Sequence, residues 1–324
     1  MKRKPLVSIL ITNYNKKKYL NRCLSSCEKQ TYANKEILLH DDHSNDGSLE
    51  LINVQIDSNT ADNHGGGLFC YDSEYKAISS TFNNNTTGSA GGGIYSYAGD
   101  SDYSIDSLIQ CMVQGNSTNG NGGGVLIQDN QYLYAVNTII TDNTAGMSNN
   151  SGYGGGVYSG VSNNQDTYSE FIHCTIANNN IESDYGYGGG FYENSNSFTR
   201  LRNSIVWHND ASQTFNIHQV NGISYSNVEG GNSSDGNIDS DPLFLDMYAG
   251  NYRLSDFSPS IGTGTLEGAP DMDLDGNPRP QPEGSNPDMG AYENVLGERL
   301  LGATYYVSTS GSDTGNGTLI FPFS

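Results

Sequence analysis

The sequence predicts a mainly β protein: a parallel β-helix entered through a short strand, helix, strand unit. Three observations carry that prediction. A nine-residue pattern recurs six times between Leu51 and Asn209. The triplet Gly-Gly-Gly followed by two apolar or aromatic residues recurs five times, starting at Gly65, Gly91, Gly122, Gly154 and Gly188. The composition, with 40 Gly, 22 Tyr and only 16% charged residues among 324, favours short strands joined by turns over helices.

The elements follow in chain order. "PLVSILITNY" is an apolar, β-rich run of the buried parallel type. "KKKYLNRCLSSCEKQ" sets Tyr19, Leu20, Cys23, Leu24 and Cys27 at helical spacing, and "NKEILLHDD" is a second strand ending on Asp41 and Asp42. A βαβ unit places its ligand site at the carboxyl ends of its strands, where this acid pair falls. From pattern alone, a solvated strand end with Ser44 or Asn45 capping a helix serves equally well.

Residues 5–50, with "VSILITNYNKKKYL" and "EILLHDDHSNDGSLE", resemble the opening of family 2 glycosyltransferases. The resemblance implies that Thr12, Tyr14, Asp41 and Asp42 grip the nucleotide of a sugar donor, with a divalent metal taking part if this unit works. His43 stands where the family has Gly. The family's metal-binding Asp-x-Asp does not follow in context: Asp239-Ser-Asp241 and Asp271-Met-Asp273 have the spelling but lie far off in turn-rich sequence. Without donor, metal and acceptor held together, transfer chemistry is not expected.

From Leu51 the pattern changes. "LINVQIDSN", "AISSTFNNN", "LIQCMVQGN", "AVNTIITDN", "FIHCTIANN" and "LRNSIVWHN" align position by position. The sixth position is apolar throughout (Ile56, Phe82, Val113, Ile140, Ile176, Val206), the fourth is small or mid-sized, and the ninth is Asn six times (Asn59, Asn85, Asn116, Asn143, Asn179, Asn209). The glycine triplets are spaced by 26, 31, 32 and 34 residues, a solenoid period. Inward positions at period two, Asn at each corner and Gly where the chain bends sharply describe coils of a parallel β-helix. Six coils at about 4.8 Å each make a rod roughly 29 Å long. The Asn column predicts a side-chain ladder from coil to coil. Cys111 and Cys174 share the fourth-position column but are separated by the Thr138 coil, about 10 Å, too far for a disulfide.

Gly-Gly-Gly-(Ile/Val)-Tyr alternating with strands that end in Asn resembles the repeats of bacterial polymorphic outer-membrane proteins and related secreted right-handed β-helix proteins. Residues 223–293, with "GNIDSDPLF", "DMDLDGNPRP" and "PDMGAYE", resemble the C-terminal part of the choice-of-anchor Q group of such proteins, which implies irregular finishing coils. "ATYYVSTSGSDTGNGTLIFPFS" resembles the start of a further such domain. The expected organisation is a partial glycosyltransferase-like segment (1–50), β-helix repeats (51–236), irregular C-terminal coils (237–294), and a linker with a truncated further segment (295–324). The resemblance implies an extracellular or surface location; the glycosyltransferase reading implies the cytoplasm.

Charge narrows the partners. Residues 1–50 sum to +3 and the rest to −24, so phosphate backbones and anionic lipid are repelled, and no nucleic-acid partner is expected. No apolar run reaches the roughly 18 residues of a membrane span. The basic and apolar start imitates a signal peptide but lacks a small-residue cleavage site before Asn13-Tyr14-Asn15 and its lysines. Five cysteines do not suggest a disulfide framework.

Chemistry is sparse in the repeats. Between 51 and 230 the cations are Lys76, Arg200 and Arg202, and Arg202 takes a second position where other coils carry Ile or Val, marking a helix end or a site. His64 reads as a turn residue. "DMDLDG" alternates Asp271, Asp273 and Asp275 before Gly276 as a calcium loop does, but Pro282 stands where an EF-hand has its twelfth-position Glu, and an Asx-turn serves as well. Tyr185 and Tyr187 could stack on sugar rings or simply coat a β surface. The expected function is a non-catalytic surface β-helix, adhesin-like or binding a polysaccharide or cell-surface glycan. The alternatives are a nucleotide-sugar-binding glycosyltransferase fragment and a polysaccharide lyase or hydrolase. No cofactor beyond calcium or a transferase metal is expected.

Overall fold

A computed structural model describes residues 7–13, 15–32, 35–41, 49–99, 103–148, 151–163, 165–213, 216–220, 222–231 and 235–301. Val7–Asn13 and Lys35–Asp41 pair in parallel, from Val7 beside Lys35 to Asn13 beside Asp41, with the helix Lys17–Glu28 between them in the chain. This is the predicted strand, helix, strand unit. On the helix Leu20 is buried, while Tyr19 and Cys23 are exposed.

From Glu50 the chain winds as a parallel β-solenoid whose successive strands stack into four parallel sheets. The leading sheet runs in seven strands from Glu50–Ile52 to Gly222–Ser224, and the trailing sheet in seven from Gln55–Asp57 to Asn227–Val228. A sheet of five short strands spans Thr60–Ala61 to Asn180–Ile181, and the glycine sheet, entered from the triplets, spans Leu68–Tyr71 to Ile217–His218 in six. Each nine-residue unit covers the end of a leading strand, a bend, a trailing strand, and a second bend. First-position Ala77, Leu108, Ala135, Phe171 and Leu201 and sixth-position Phe82, Val113, Ile140, Ile176 and Val206 are all buried in one continuous core. Leu49 already belongs to that core. Each such side chain larger than Ala contributes roughly 1.5–3 kcal/mol by leaving water.

The bends are not where the Asn column suggested. Third-position Asn53, Ser79, Gln110, Asn137, His173 and Asn203 have φ between 47° and 55°, and eighth-position Ser58, Asn84, Gly115, Asp142, Asn178 and His208 between 54° and 67°. These left-handed residues turn the chain, and short polar side chains tolerate that region best. The ninth-position Asn follows the second bend and points inward.

There it forms the predicted ladder. Asn59, Asn85, Asn116, Asn143 and Asn179 each donate Nδ2 to the Oδ1 of the next Asn at 2.8–2.9 Å, and Asn209 extends the series to Asn216. Each Oδ1 also accepts the backbone N–H of the Asn below, as Asn143 does from Asn116 at 2.9 Å. The second Nδ2 proton goes to a sixth-position carbonyl one coil back, Val113 in the case of Asn143 at 3.0 Å. All four hydrogen-bonding capacities of the buried amide are thereby used. The third glycine of each triplet makes room for it: a Cβ on Gly124 would lie 2.9 Å from Asn143 Nδ2 and 2.6 Å from the Gly156 carbonyl.

The fourth-position column is a second inner series. Thr138 Oγ1 accepts the Cys111 N–H and Ser204 Oγ the Cys174 N–H. Both thiols are free and buried, and burial pushes them up to about 11 and about 12.

Beyond the bridge between Asn227 and Ile238, no parallel pairing continues the stack among the described residues. Instead the C-terminal segment returns along the outer face of the trailing sheet. Tyr252, Ala291 and Tyr292 pack on Ile139 and Ala177, while Leu254, Ile261 and Met289 pack on Ile205. The third-position bends hold it: Gln110 donates to the Asp273 carbonyl, Asn137 to the Met272 carbonyl, and Asn203 to the Thr265 carbonyl. From the eighth-position bends, Asp142 accepts the Tyr252 hydroxyl. At the centre, fully buried Arg279 binds Glu293 at 2.8 Å, Asn137 Oδ1 at 2.7 Å and the Gly290 carbonyl at 3.1 Å.

Candidate functional site

With the trailing face covered, two outer faces carry aromatic columns. On the glycine sheet, Phe69 and Tyr95 are neighbours in register, as are Tyr158 and Tyr192, with ring centroids 5.3 and 5.4 Å apart, and His218 stacks on Tyr192 at 5.0 Å. His64, bridged to Ala90, packs on Phe69 and Tyr95, and Tyr187 packs between Tyr153 and His218. Tyr95 and Tyr158 are buried beneath their neighbours, while Phe69 and Tyr71 of the first strand stay about half exposed. Tyr185 is exposed.

The leading sheet differs. Ile105, Tyr132, Tyr168 and Phe198 align in register on its outer face, and Tyr168 and Phe198 stack at 5.2 Å with 18° between their planes. Phe198 ends the column, because pairing with the next strand begins only at Arg200 beside Gly222, and it is 52% exposed. Above and beside it opens a groove of about 730 Å³ lined by both outward and inward residues of the last turns, including Tyr132, Glu170, Glu193, Asn196, Phe198 and Gln219. That volume lies in the range of small-ligand clefts.

Polar side chains converge there. Glu170 accepts the Tyr132 hydroxyl at 3.0 Å and pairs with Arg202 at 3.9 Å. Arg202 also meets the Glu267 carboxylate at 3.7 Å and carbonyl at 3.2 Å, so it ties Glu170 to the returning segment near the end of the stack. Glu193 is buried, accepts the Thr199 N–H at 2.9 Å, and is pushed up to about 7 by desolvation. Ser197, also buried, has an Oγ without a hydrogen-bond partner among the described residues. Sequence reasoning picked out Arg202 but neither glutamate, because they come from strands of different sheets and nothing in the nine-residue pattern marks them.

The other predicted residues lie elsewhere. Thr12 and Asp41 sit at the carboxyl ends of the parallel pair, Thr12 beside His40 in register and exposed. Tyr14 and Asp42 fall outside the described residues. In the alternating-acid loop, buried Asp273 receives the Asn277 N–H at 2.8 Å, the Asn277 amide at 3.1 Å and the Glu293 N–H at 2.9 Å. Asp275 binds Arg253 through two 2.7 Å contacts, and Asp271 gives its carbonyl to the Arg279 N–H. In this loop the Asp273 and Asp275 carboxylates face protein donors, as in an Asx-type turn, and no group of three metal-ligating side chains occurs among the described residues.

Fold and surface together define a β-solenoid with a glycosyltransferase-like opening. The comparisons divide the chain in the same way. Residues 8–63 match the glycosyl transferase family 2 model and residues 79–97 the Chlamydia polymorphic membrane protein repeat, so the chain is a mosaic of a family 2 start and a β-helix with repeats of that type. It is similar to an uncharacterized glycosyltransferase of Haemophilus influenzae, 49% identical over 53 residues, 16% of this chain and 21% of that protein. It is also similar to a chondroitin synthase of Escherichia coli, 44% identical over 52 residues, 16% of this chain and 8% of that one. The chain thus spans about a fifth or less of the length of these relatives. The family 2 match runs past Glu50, yet residues 50–61 are already paired with the second coil. No solved structure matches the chain. No helix among the described residues is long and apolar enough to cross a membrane.

Proposed function

We propose that the solenoid is a surface or extracellular carbohydrate-binding protein, adhesin-like in role, that holds a neutral glycan on its leading face. The observation that carries this reading is the stacked Tyr168–Phe198 pair, ending with an exposed ring in a groove that also offers amides, hydroxyls and carboxyl groups. Sugar rings present apolar faces ringed by hydroxyls, and a flat aromatic platform beside hydrogen-bonding side chains complements both. The −24 balance of residues 51–324 disfavours anionic glycans. The polymorphic membrane protein repeat supports a surface setting. Titration of the full chain with neutral hexasaccharides tests the reading: Phe198→Ala is expected to weaken binding roughly tenfold, the loss of about 1.4 kcal/mol. Equal affinity in the variant would sink it.

The family 2 match favours a second reading for the first fifty residues, in which Thr12, Tyr14, Asp41 and Asp42 hold a nucleotide and a divalent metal. Uridine diphosphate with manganese tests it, with binding lost in Asp42→Ala if the reading holds and absent from the unaltered chain if it does not.

A further inference from the structure

The groove brings together two carboxyl groups that the sequence keeps 23 residues apart, in unlike settings. Glu193 ends the strand Phe191–Glu193 of the glycine sheet and reaches over the upper edge of the strand Ser197–Arg202 to receive the Thr199 N–H. Glu170 lies one coil below, on the outer face, held by the Tyr132 hydroxyl and Arg202. The Tyr168–Phe198 platform lines the same groove, and so does Ser197 with its spare hydroxyl.

We propose that this groove hydrolyses the glycan it binds, with Glu193 as the general acid and Glu170 as the general base. The inference rests on the glycan-binding reading. Glu193 gives its proton to the glycosidic oxygen as the bond from that oxygen to the anomeric carbon breaks. Glu170 takes a proton from a water molecule whose oxygen bonds to the same carbon. Proton exchange with solvent then restores both groups, and the net reaction consumes one water per bond cut. Two carboxyl groups lining one groove, one buried and one on the outer face, is an arrangement such chemistry uses. Burial leaves Glu193 a proton close to neutral pH.

The test uses the full chain and fluorescently labelled hexasaccharides of β-1,4-linked glucose, β-1,4-linked N-acetylglucosamine and α-1,4-linked glucose. Binding is read by affinity electrophoresis and cleavage by product length. The expected result is shortening of a probe that binds, at a rate that falls above about pH 7, with Glu193→Gln and Glu170→Gln each at least a hundredfold slower. Melting curves of both variants confirm that they are folded. A probe that binds but stays full length, or a Glu193→Gln variant that cuts at the original rate, overturns the proposal and leaves the binding reading standing. Failure of every probe to bind overturns both.

Discussion

Replacing Asn143 by Ala probes the ladder at its middle. Four hydrogen bonds disappear: the two that Oδ1 accepts from Asn116, and the two that Nδ2 donates to the Val113 carbonyl and Asn179 Oδ1. The partners do not suffer equally. Asn116 Nδ2 keeps the Phe82 carbonyl and Asn179 Oδ1 keeps the Asn143 N–H, whereas the Asn116 N–H loses the acceptor it has in a buried site. One stranded buried donor costs about 1–3 kcal/mol, and the weakened remainder adds roughly 1–2 kcal/mol. The total, about 2–5 kcal/mol, is a large part of the stability of an ordinary domain. Asn59 is the control: it is exposed at the first coil and donates to Asn85. Asn59→Ala is expected to cost under about 1 kcal/mol. Urea unfolding followed by circular dichroism measures both. If Asn143→Ala costs no more than Asn59→Ala, the ladder does not hold the coils together as described.

Two further perturbations address the interior and the returning segment. Asp106 is fully buried, accepts the Tyr75 N–H at 3.0 Å and contacts the Ser96 hydroxyl, and desolvation pushes its carboxyl from 3.8 up to about 8. The folded chain therefore holds a proton there that the unfolded chain loses, so stability from this group falls as pH rises from about 4 to about 8 and is flat above. Asp106→Asn removes that dependence and should gain on the unaltered chain by about 1.4 kcal/mol per pH unit across pH 5–7, measured as urea midpoints; a parallel dependence in both proteins would refute it. Glu293→Gln strands the Arg279 charge in a fully buried site and should cost about 3–5 kcal/mol, read as early protease cutting between 241 and 301 while the coils resist. Unchanged cutting there would show that the pair does not anchor the segment.

Much of the fold was legible because each solenoid column is a sequence position. Inward Phe82, Val113 and Ile140, the Asn series and the glycine triplets all repeat with the coil, so aligning the coils is equivalent to stacking them. The left-handed bends were present in the same alignment, since third and eighth positions hold Asn, Asp, Ser, His, Gln or Gly. The invariant Asn beside them drew the corner assignment one residue too far. The course of residues 241–301 was not legible. It depends on contacts such as Arg279 with Asn137, 142 residues apart, and on buried acids such as Asp273 and Asp288 that receive backbone N–H groups from distant parts of the segment. The groove was hidden for a related reason: Glu170 and Glu193 are unremarkable in their own coils and line one groove only where the last turns leave a strand edge open.

Hydrogen–deuterium exchange of the full chain, with and without a saturating neutral hexasaccharide, tests the central claim most directly, because it locates the binding surface as well as detecting it. The account predicts slowed exchange confined to residues 166–172 and 194–200, where the Tyr168–Phe198 platform and the groove lie. Protection on the glycine sheet or around residues 12–41 instead, or none anywhere, would contradict it.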